Sequence, residues 1–368
     1  MKHIGKSYDK VDAKGILSGK PSYTGDFVPK DALIIKVLRS PHAQAKIKSI
    51  DTSKAKLIPG VEAIFTYEDV PNTRFTLAGQ TYPEPSAYDA LILDPVVRYV
   101  GDEVALVVAK DEATALKAMP LIKVEYEVQK PVLDLRTAMD HETVVHPEDD
   151  ILNHFPVGQD YKRNICVSYH KRVGDIEEEL AKCDYVVEGT YFDQATRQSA
   201  MEPFQSFGYI DHLGRIVIVS STQIVFHVRR HIARALGIPA SKIRVIKPRI
   251  GGGFGSKQTA CTELMTAFVT WKLQKPCYLL YDRTEAQTCS TTRHAREWYI
   301  RVGATKDGII QVIDMDSITD AGAHATHCFT TTTAGEHKSV PLYNKAKAVH
   351  YGTEGVYMNH TPGGAFRG

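Results

Sequence analysis

The chain has 368 residues, 43% hydrophobic and 24% charged, which suits a globular protein of two or three domains with room for a sizeable core. Its 45 Lys and Arg against 43 Asp and Glu leave a formal charge of +2, which excludes a global field that would gather nucleic acid or an anionic membrane. No apolar run nears the roughly 20 residues of a membrane helix, the start MKHIGKSYDKVDAKG lacks a signal-peptide core, and the six cysteines form no C-x-x-C, so a cytoplasmic protein with reduced buried thiols is expected rather than a zinc, iron–sulfur or disulfide framework.

Residues 1–19 are polar and basic and read as an extended arm. Leu33–Ser40 is apolar and β-prone, and Ile47–Ile50 and Val61–Thr66 add two short strands around the turn signal Ile58-Pro59-Gly60. Glu103–Ala109 is nearly all apolar, as in a strand covered on both faces. Asp111 opens a helix through Met119 with Ala113, Leu116 and Ala118 available for burial, and Pro120 stops it before a strand at Leu121–Tyr126. These elements make one mixed unit over residues 20–138, and the polar stretch 139–162 reads as a linker.

A second unit, residues 163–368, follows. Asp175-Ile-Glu-Glu178 is a capping-box pattern, Tyr185–Tyr191 a strand, and Phe207–Ser220 a hairpin turning at Gly214. From Gln223 to Leu236, Val228, Ile232, Ala235 and Leu236 share a helical face that Gly237 and Pro239 end. Ile243–Ile246 is a strand, Thr259–Trp271 a second amphipathic helix, and Tyr278–Tyr281 a further strand.

Between strand and helix lies Arg249-Ile-Gly-Gly-Gly-Phe-Gly-Ser-Lys-Gln258. Glycines let backbone approach a ligand, and the N–H groups at the start of the following helix would favour an anion. A dinucleotide G-x-G-x-x-G fails, because Ser256 and Gln258 stand where its last glycine belongs, and a phosphate loop fails at the same two positions. A nucleotide-binding oxidoreductase is therefore disfavoured, and an unliganded glycine turn is the plainer alternative to a ligand cradle.

That loop, with Ser221-Thr222-Gln223 upstream and Gly364-Ala-Phe-Arg-Gly368 downstream, resembles molybdenum hydroxylases of the xanthine dehydrogenase and aldehyde oxidase family. Arg39-Ser-Pro-His-Ala43, Ile58-Pro-Gly-Val61 and Arg98-Tyr-Val-Gly-Asp102 are similar to the family's a/b hammerhead domain. The resemblance implies an α+β fold, with a hammerhead domain followed by the first part of the molybdopterin-binding domain. It implies that Gln223 approaches an oxygen ligand of molybdenum, that Gly253, Phe254 and Gly255 lie beside the metal, and that Arg367 holds the molybdopterin cofactor, in its plain or cytosine dinucleotide form. Phe254, Gln258 and Glu202 are then candidates for the substrate pocket, with Glu202 the weakest. No catalytic residue is expected in this chain, since the family's glutamate base lies beyond Gly368. Iron–sulfur clusters and FAD would sit on partner subunits.

Two departures bear on substrate. Xanthine-oxidising members carry glutamate where Gln258 stands, and an amide cannot act as a carboxylate. They also carry an arginine shortly before A-F-R-G, where this chain has Gly335. The local sequence is more similar to bacterial members named xanthine dehydrogenase, so hydroxylation of a purine-like N-heterocycle of the xanthine or hypoxanthine class is expected. Aldehyde or aromatic-acid hydroxylation and a truncated non-catalytic remnant are the alternatives. Ending at Gly368 suggests a truncated reading frame, an expression fragment, or a subunit whose C-terminal half is a separate partner chain. His324, His327 and Cys328 are expected to pack loops or lie at the surface rather than bind metal, and Arg229-Arg230 to be solvated.

Overall fold

The structure, a computed structural model, describes residues 2–366. Seven strands form one sheet in the order Ile243–Ile246, Ile216–Ser220, Gln205–Ile210, Cys277–Leu280, Leu33–Arg39, Glu103–Ala109, Val61–Phe65. Its seam is a parallel pairing of Leu33–Ile35 with Cys277–Leu279, which joins segments more than 200 residues apart. The strand Glu103–Ala109 is covered on both faces, as its apolar run predicts. Helices Val225–Leu236 and Glu263–Leu273 pack on this sheet, and Ile35, Leu106, Ile218, Val228, Ile232, Phe268 and Leu279 meet in the main core.

Five further strands form a second sheet, ordered Ile165–Val173, Ala348–Tyr357, Ile310–Gly322, Arg296–Ala304, Tyr185–Asp193. Four of these, Ile165–Val173, Arg296–Ala304, Ile310–Gly322 and Ala348–Tyr357, have no counterpart in the sequence reading. Their burial does not alternate: Asp314 is buried because it pairs with Arg301 and His350. A charged residue satisfied by an ion pair breaks the hydrophobic pattern without breaking the strand. A three-stranded sheet of Val96–Val97, Ala45–Asp51 and Lys123–Val128 completes the β-structure of the described residues. The fold is thus α+β, as expected.

Local details depart from expectation. Residues Ala13–Leu17 form a helical turn with no buried residue, so the start is not wholly extended, and Asp12 pairs with Arg249 at the head of the glycine loop. In the helix Glu112–Ala118 the buried residues are Thr114, Ala115 and Ala118, while Leu116 points outward. Asp111 accepts from Thr114 N at 2.7 Å, and this cap sets the phase of a helix too short to bury a wider face. The stretch 139–162 is irregular but not solvated throughout: Val145 and His146 are fully buried, held by Asn164 Oδ1 at 2.8 Å from Val145 N and by Ala323 O at 2.7 Å from His146 Nε2. Among the described residues no helix is long and apolar enough to cross a membrane. All six cysteines are free, four of them buried.

Candidate functional site

The glycine loop leaves the edge strand Ile243–Ile246 and runs into a 3-10 turn at Ser256–Gln258. Gly252 and Gly255 adopt φ of +100° and +97°, a region other residues avoid, and Phe254 itself is at +50°. What holds this path is Glu202. Its Oε2 accepts from Gly251 N at 2.6 Å and from Lys257 Nζ at 2.9 Å, while its Oε1 accepts from Gln205 Nε2 at 2.7 Å. Lys257 is buried, and burial pushes its pKa down against the pull of Glu202. One carboxylate therefore clamps both ends of the loop.

Gln223 approaches from the other side. Its Oε1 accepts from Gly255 N at 3.2 Å. Because a backbone N–H demands an oxygen there, the amide nitrogen faces away and has no protein partner among the described residues. Gly253 makes the approach possible: a Cβ at that position would lie 2.5 Å from Gln223 Oε1. Phe254 is 55% exposed beside this amide, which leaves a large aromatic face open to a ligand.

The expectation that the loop aims a helix start at an anion is overturned. Helix Glu263–Leu273 begins later, and its neighbouring amides, Cys261 N and Thr262 N, donate to Glu263 Oε2 at 3.0 and 3.1 Å. Glu263 is buried, and burial raises its pKa. The helix start is occupied by its own side chain.

Gln258 follows. Its carbonyl lies 3.0 Å from His327 Nε2, and a Cβ on Gly79 would meet the same oxygen at 2.2 Å. Burial pushes the His327 pKa down to about 4, so the ring is neutral, and its Nε2 sits between the Gln258 carbonyl and Gly79 N at 3.3 Å. His324 and His327 are both buried loop-packing residues rather than surface ones, with His324 Nδ1 3.3 Å from Asp89 Oδ1. Arg229 donates to Ala240 O at 2.8 Å and is not simply solvated.

Gln258 and Gly255 open on a cleft of about 600 Å³ whose other walls come from Arg293, His294, Arg296 and Trp298, from Thr331 and Gly335, and from Gly364–Phe366. Gln223, Phe254 and Glu202 do not line it; Glu202 instead faces inward to the loop. Arg367 lies outside the described residues. Among the described residues the cleft carries Arg293, Arg296 and Lys338 against one carboxylate, Asp193, which pairs with Arg293 at 3.8 Å. Arg296 stacks on Trp298 at 5.0 Å and pairs with no carboxylate among the described residues. Burial, with Arg296 adding to it, pushes the His294 pKa down to about 3. The His294 Nδ1 lies 3.3 Å from Thr331 Oγ1, and its Nε2 is buried without a partner among the described residues. The sequence reading missed this wall; the basic run Arg293-His-Ala-Arg296 followed by Trp298 was the available signal.

Two family models match the chain: a molybdopterin cofactor-binding domain over residues 157–368, and an aldehyde oxidase and xanthine dehydrogenase a/b hammerhead domain over residues 18–130. The chain is 38% identical to the "Probable hypoxanthine oxidase XdhD" of Escherichia coli strain K12, covering 99% of itself and 40% of that protein. It is 31% identical to the nicotinate dehydrogenase large molybdopterin subunit of Eubacterium barkeri, covering 99% of itself and 81% of that subunit. Among solved structures, the aldehyde oxidoreductase of Desulfovibrio gigas superposes with a TM-score of 0.88 at 25% identity, over 99% of this chain and 40% of that one. The chain thus spans less than half the length of several proteins it matches.

Proposed function

This chain belongs to the aldehyde oxidase and xanthine dehydrogenase family of molybdopterin-binding proteins, and we propose that it supplies the cofactor-facing loop and one wall of the substrate cleft of a molybdenum hydroxylase. The observation that carries this reading is convergence. Gly255 and Gln258, the 293–298 segment and Gly364–Phe366 are far apart in sequence and line one cleft.

The residues fit the cofactor. Gln223 turns an unpartnered amide nitrogen outward, Gly253 and Gly255 thin the loop, and the cationic cleft with its orphaned His294 Nε2 suits an anionic, oxygen-rich group. When bound, the molybdenum cofactor supplies two-electron oxidation of a carbon with oxygen drawn from water. In this reading Gln223 would donate to an oxygen of the metal centre, Phe254 would lie beside it outside the cleft, and Arg367 would help hold the cofactor. Glu202 and Lys257 position the loop, and Gln258 offers its amide to the substrate. No residue here is assigned as the base. We take residues 20–138 as the hammerhead unit, 139–162 as its connection and 163–368 as the molybdopterin-binding part. Iron–sulfur and FAD subunits carry the electrons away, the cofactor in plain or cytosine dinucleotide form is retained, and the enzyme works in the cytoplasm.

The substrate class is a purine-like heterocycle, supported by the similarity to a protein named for hypoxanthine. A second reading, an aromatic acid, is favoured by the unpaired Arg296 with Arg293 and Lys338, which suit a carboxylate, and by the similarity to a nicotinate dehydrogenase subunit. Turnover of hypoxanthine, xanthine, nicotinate and benzaldehyde by the intact complex tests both readings. Oxidation of a purine alone supports the first, oxidation of nicotinate alone the second, and oxidation of neither with molybdenum absent refutes the hydroxylase assignment.

A further inference from the structure

Helix Val225–Leu236 carries His227 and His231 one turn apart, and both rings face Glu84 from the irregular segment before Val96. Glu84 Oε1 lies 3.2 Å from His227 Nδ1 and 3.7 Å from His231 Nε2. Glu84 and His231 are buried, His231 at 3% exposure, and neither ring nitrogen of His231 has a hydrogen-bond partner among the described residues. A buried imidazole with both nitrogens unsatisfied is costly unless something binds it.

We propose that Glu84, His227 and His231 form a divalent-metal site of the zinc class, separate from the cofactor cleft, which fastens the Glu84 segment to helix Val225–Leu236. Two imidazoles and a carboxylate are a common zinc donor set, and two histidines four residues apart share one helical face. A tetrahedral ion with bonds of about 2.0–2.1 Å separates its ligand atoms by about 3.4 Å, close to the 3.2 and 3.7 Å from Glu84 to the two rings, and all three ligand atoms lie within 4.8 Å of one another. Tyr88 OH donates to the other carboxylate oxygen of Glu84 at 2.8 Å and orients it, as an outer partner orients a metal-binding carboxylate.

Arg230 explains how the cluster holds together without an ion. Its Nη2 lies 2.7 Å from His227 Nδ1 and 3.4 Å from Glu84 Oε1, so a guanidinium stands where a cation belongs. When Arg230 donates to His227 Nδ1, that nitrogen and Glu84 Oε1 face each other as two acceptors, an arrangement a shared metal ion relieves. Arg230 is 31% exposed and stacked on the Tyr82 ring, so its head can swing into water when an ion enters. A second buried cluster, Asp89, His146 and His324, differs: Asp89 already accepts from Ala325 N and Tyr357 OH, and Arg98 adds positive charge to both rings.

The test is zinc titration by calorimetry, with elemental analysis after dialysis, on untagged full-length protein as isolated. The proposal expects one zinc per chain, weakened at least about tenfold in Glu84→Gln and in His227→Gln, and tightened in Arg230→Ala. Circular dichroism checks folding. Should Glu84→Gln unfold, His227→Gln, whose ring is partly exposed, decides. Equal zinc binding by wild type and these folded variants overturns the proposal, as does binding lost only in His350→Gln, which disrupts the surface cluster of His170, Asp316 and His350.

Discussion

Gly253→Ala tests whether Gln223 is held for a purpose. The added Cβ would lie 2.5 Å from Gln223 Oε1, 2.8 Å from its Cδ and 3.3 Å from its Cγ. Gly253 itself is not at positive φ, so alanine brings no backbone strain and the effect is purely one of contact. The side chain must swing aside, which breaks the 3.2 Å bond from Gly255 N. Because the contact falls on the far end of a flexible, half-buried side chain, the loss in stability is small, about 1 kcal/mol for one hydrogen bond. The displaced donor costs more in function: outer partners of a metal centre typically weaken metal affinity or activity about 10- to 100-fold when lost. Molybdenum content and turnover of the intact complex, measured beside its thermal midpoint, separate the two effects. Unchanged molybdenum and turnover in a folded Gly253→Ala protein would refute the role given to Gln223; a collapse in stability with no further loss would mean the loop is only structural.

Glu202→Ala leaves the buried Lys257 uncompensated and is expected to cost about 3–5 kcal/mol in denaturant unfolding, with Glu202→Ala/Lys257→Met milder than the single change; a mild single variant would show the clamp to be unimportant. For His294 the unfolded ring takes up its proton near pH 6.5 and the buried one only near pH 3. Between those values the unfolded state binds more protons, so stability falls as pH falls, by an amount on the order of 5 kcal/mol. His294→Gln should flatten thermal midpoint against pH over that range, and an unaltered slope would contradict the buried neutral ring. Gln258→Glu should shift the ratio of purine to aromatic-acid turnover, since it adds a carboxylate to the wall opposite Arg296; an identical ratio would remove Gln258 from the substrate's surroundings.

Much of the first sheet and its helices was legible in the sequence. Glu103–Ala109 is buried on both sides and therefore almost uniformly apolar, and helix Val225–Leu236 shows its core face at Val228, Ile232, Ala235 and Leu236, with Gly237 at φ +65° ending it. The hairpin turning at Gly214 was readable for the same reason: its constraints are local, and local constraints are written in neighbouring residues. The glycine loop, too, announced itself, because close backbone approach excludes other residues.

What the sequence could not supply depends on partners distant along the chain. Only the fold shows that Leu33–Ile35 pairs with Cys277–Leu279, that Glu202 rather than a helix start secures the loop, or that His327 and Gly79 meet at the carbonyl of Gln258. The strands after Arg296 escaped for a related reason: their buried Asp314 is tolerable only because Arg301 and His350 come to it. A buried charge carries no mark in sequence of the partner that satisfies it, so the cationic wall of the cleft and the Glu84, His227 and His231 cluster became visible only when tertiary packing brought their members together.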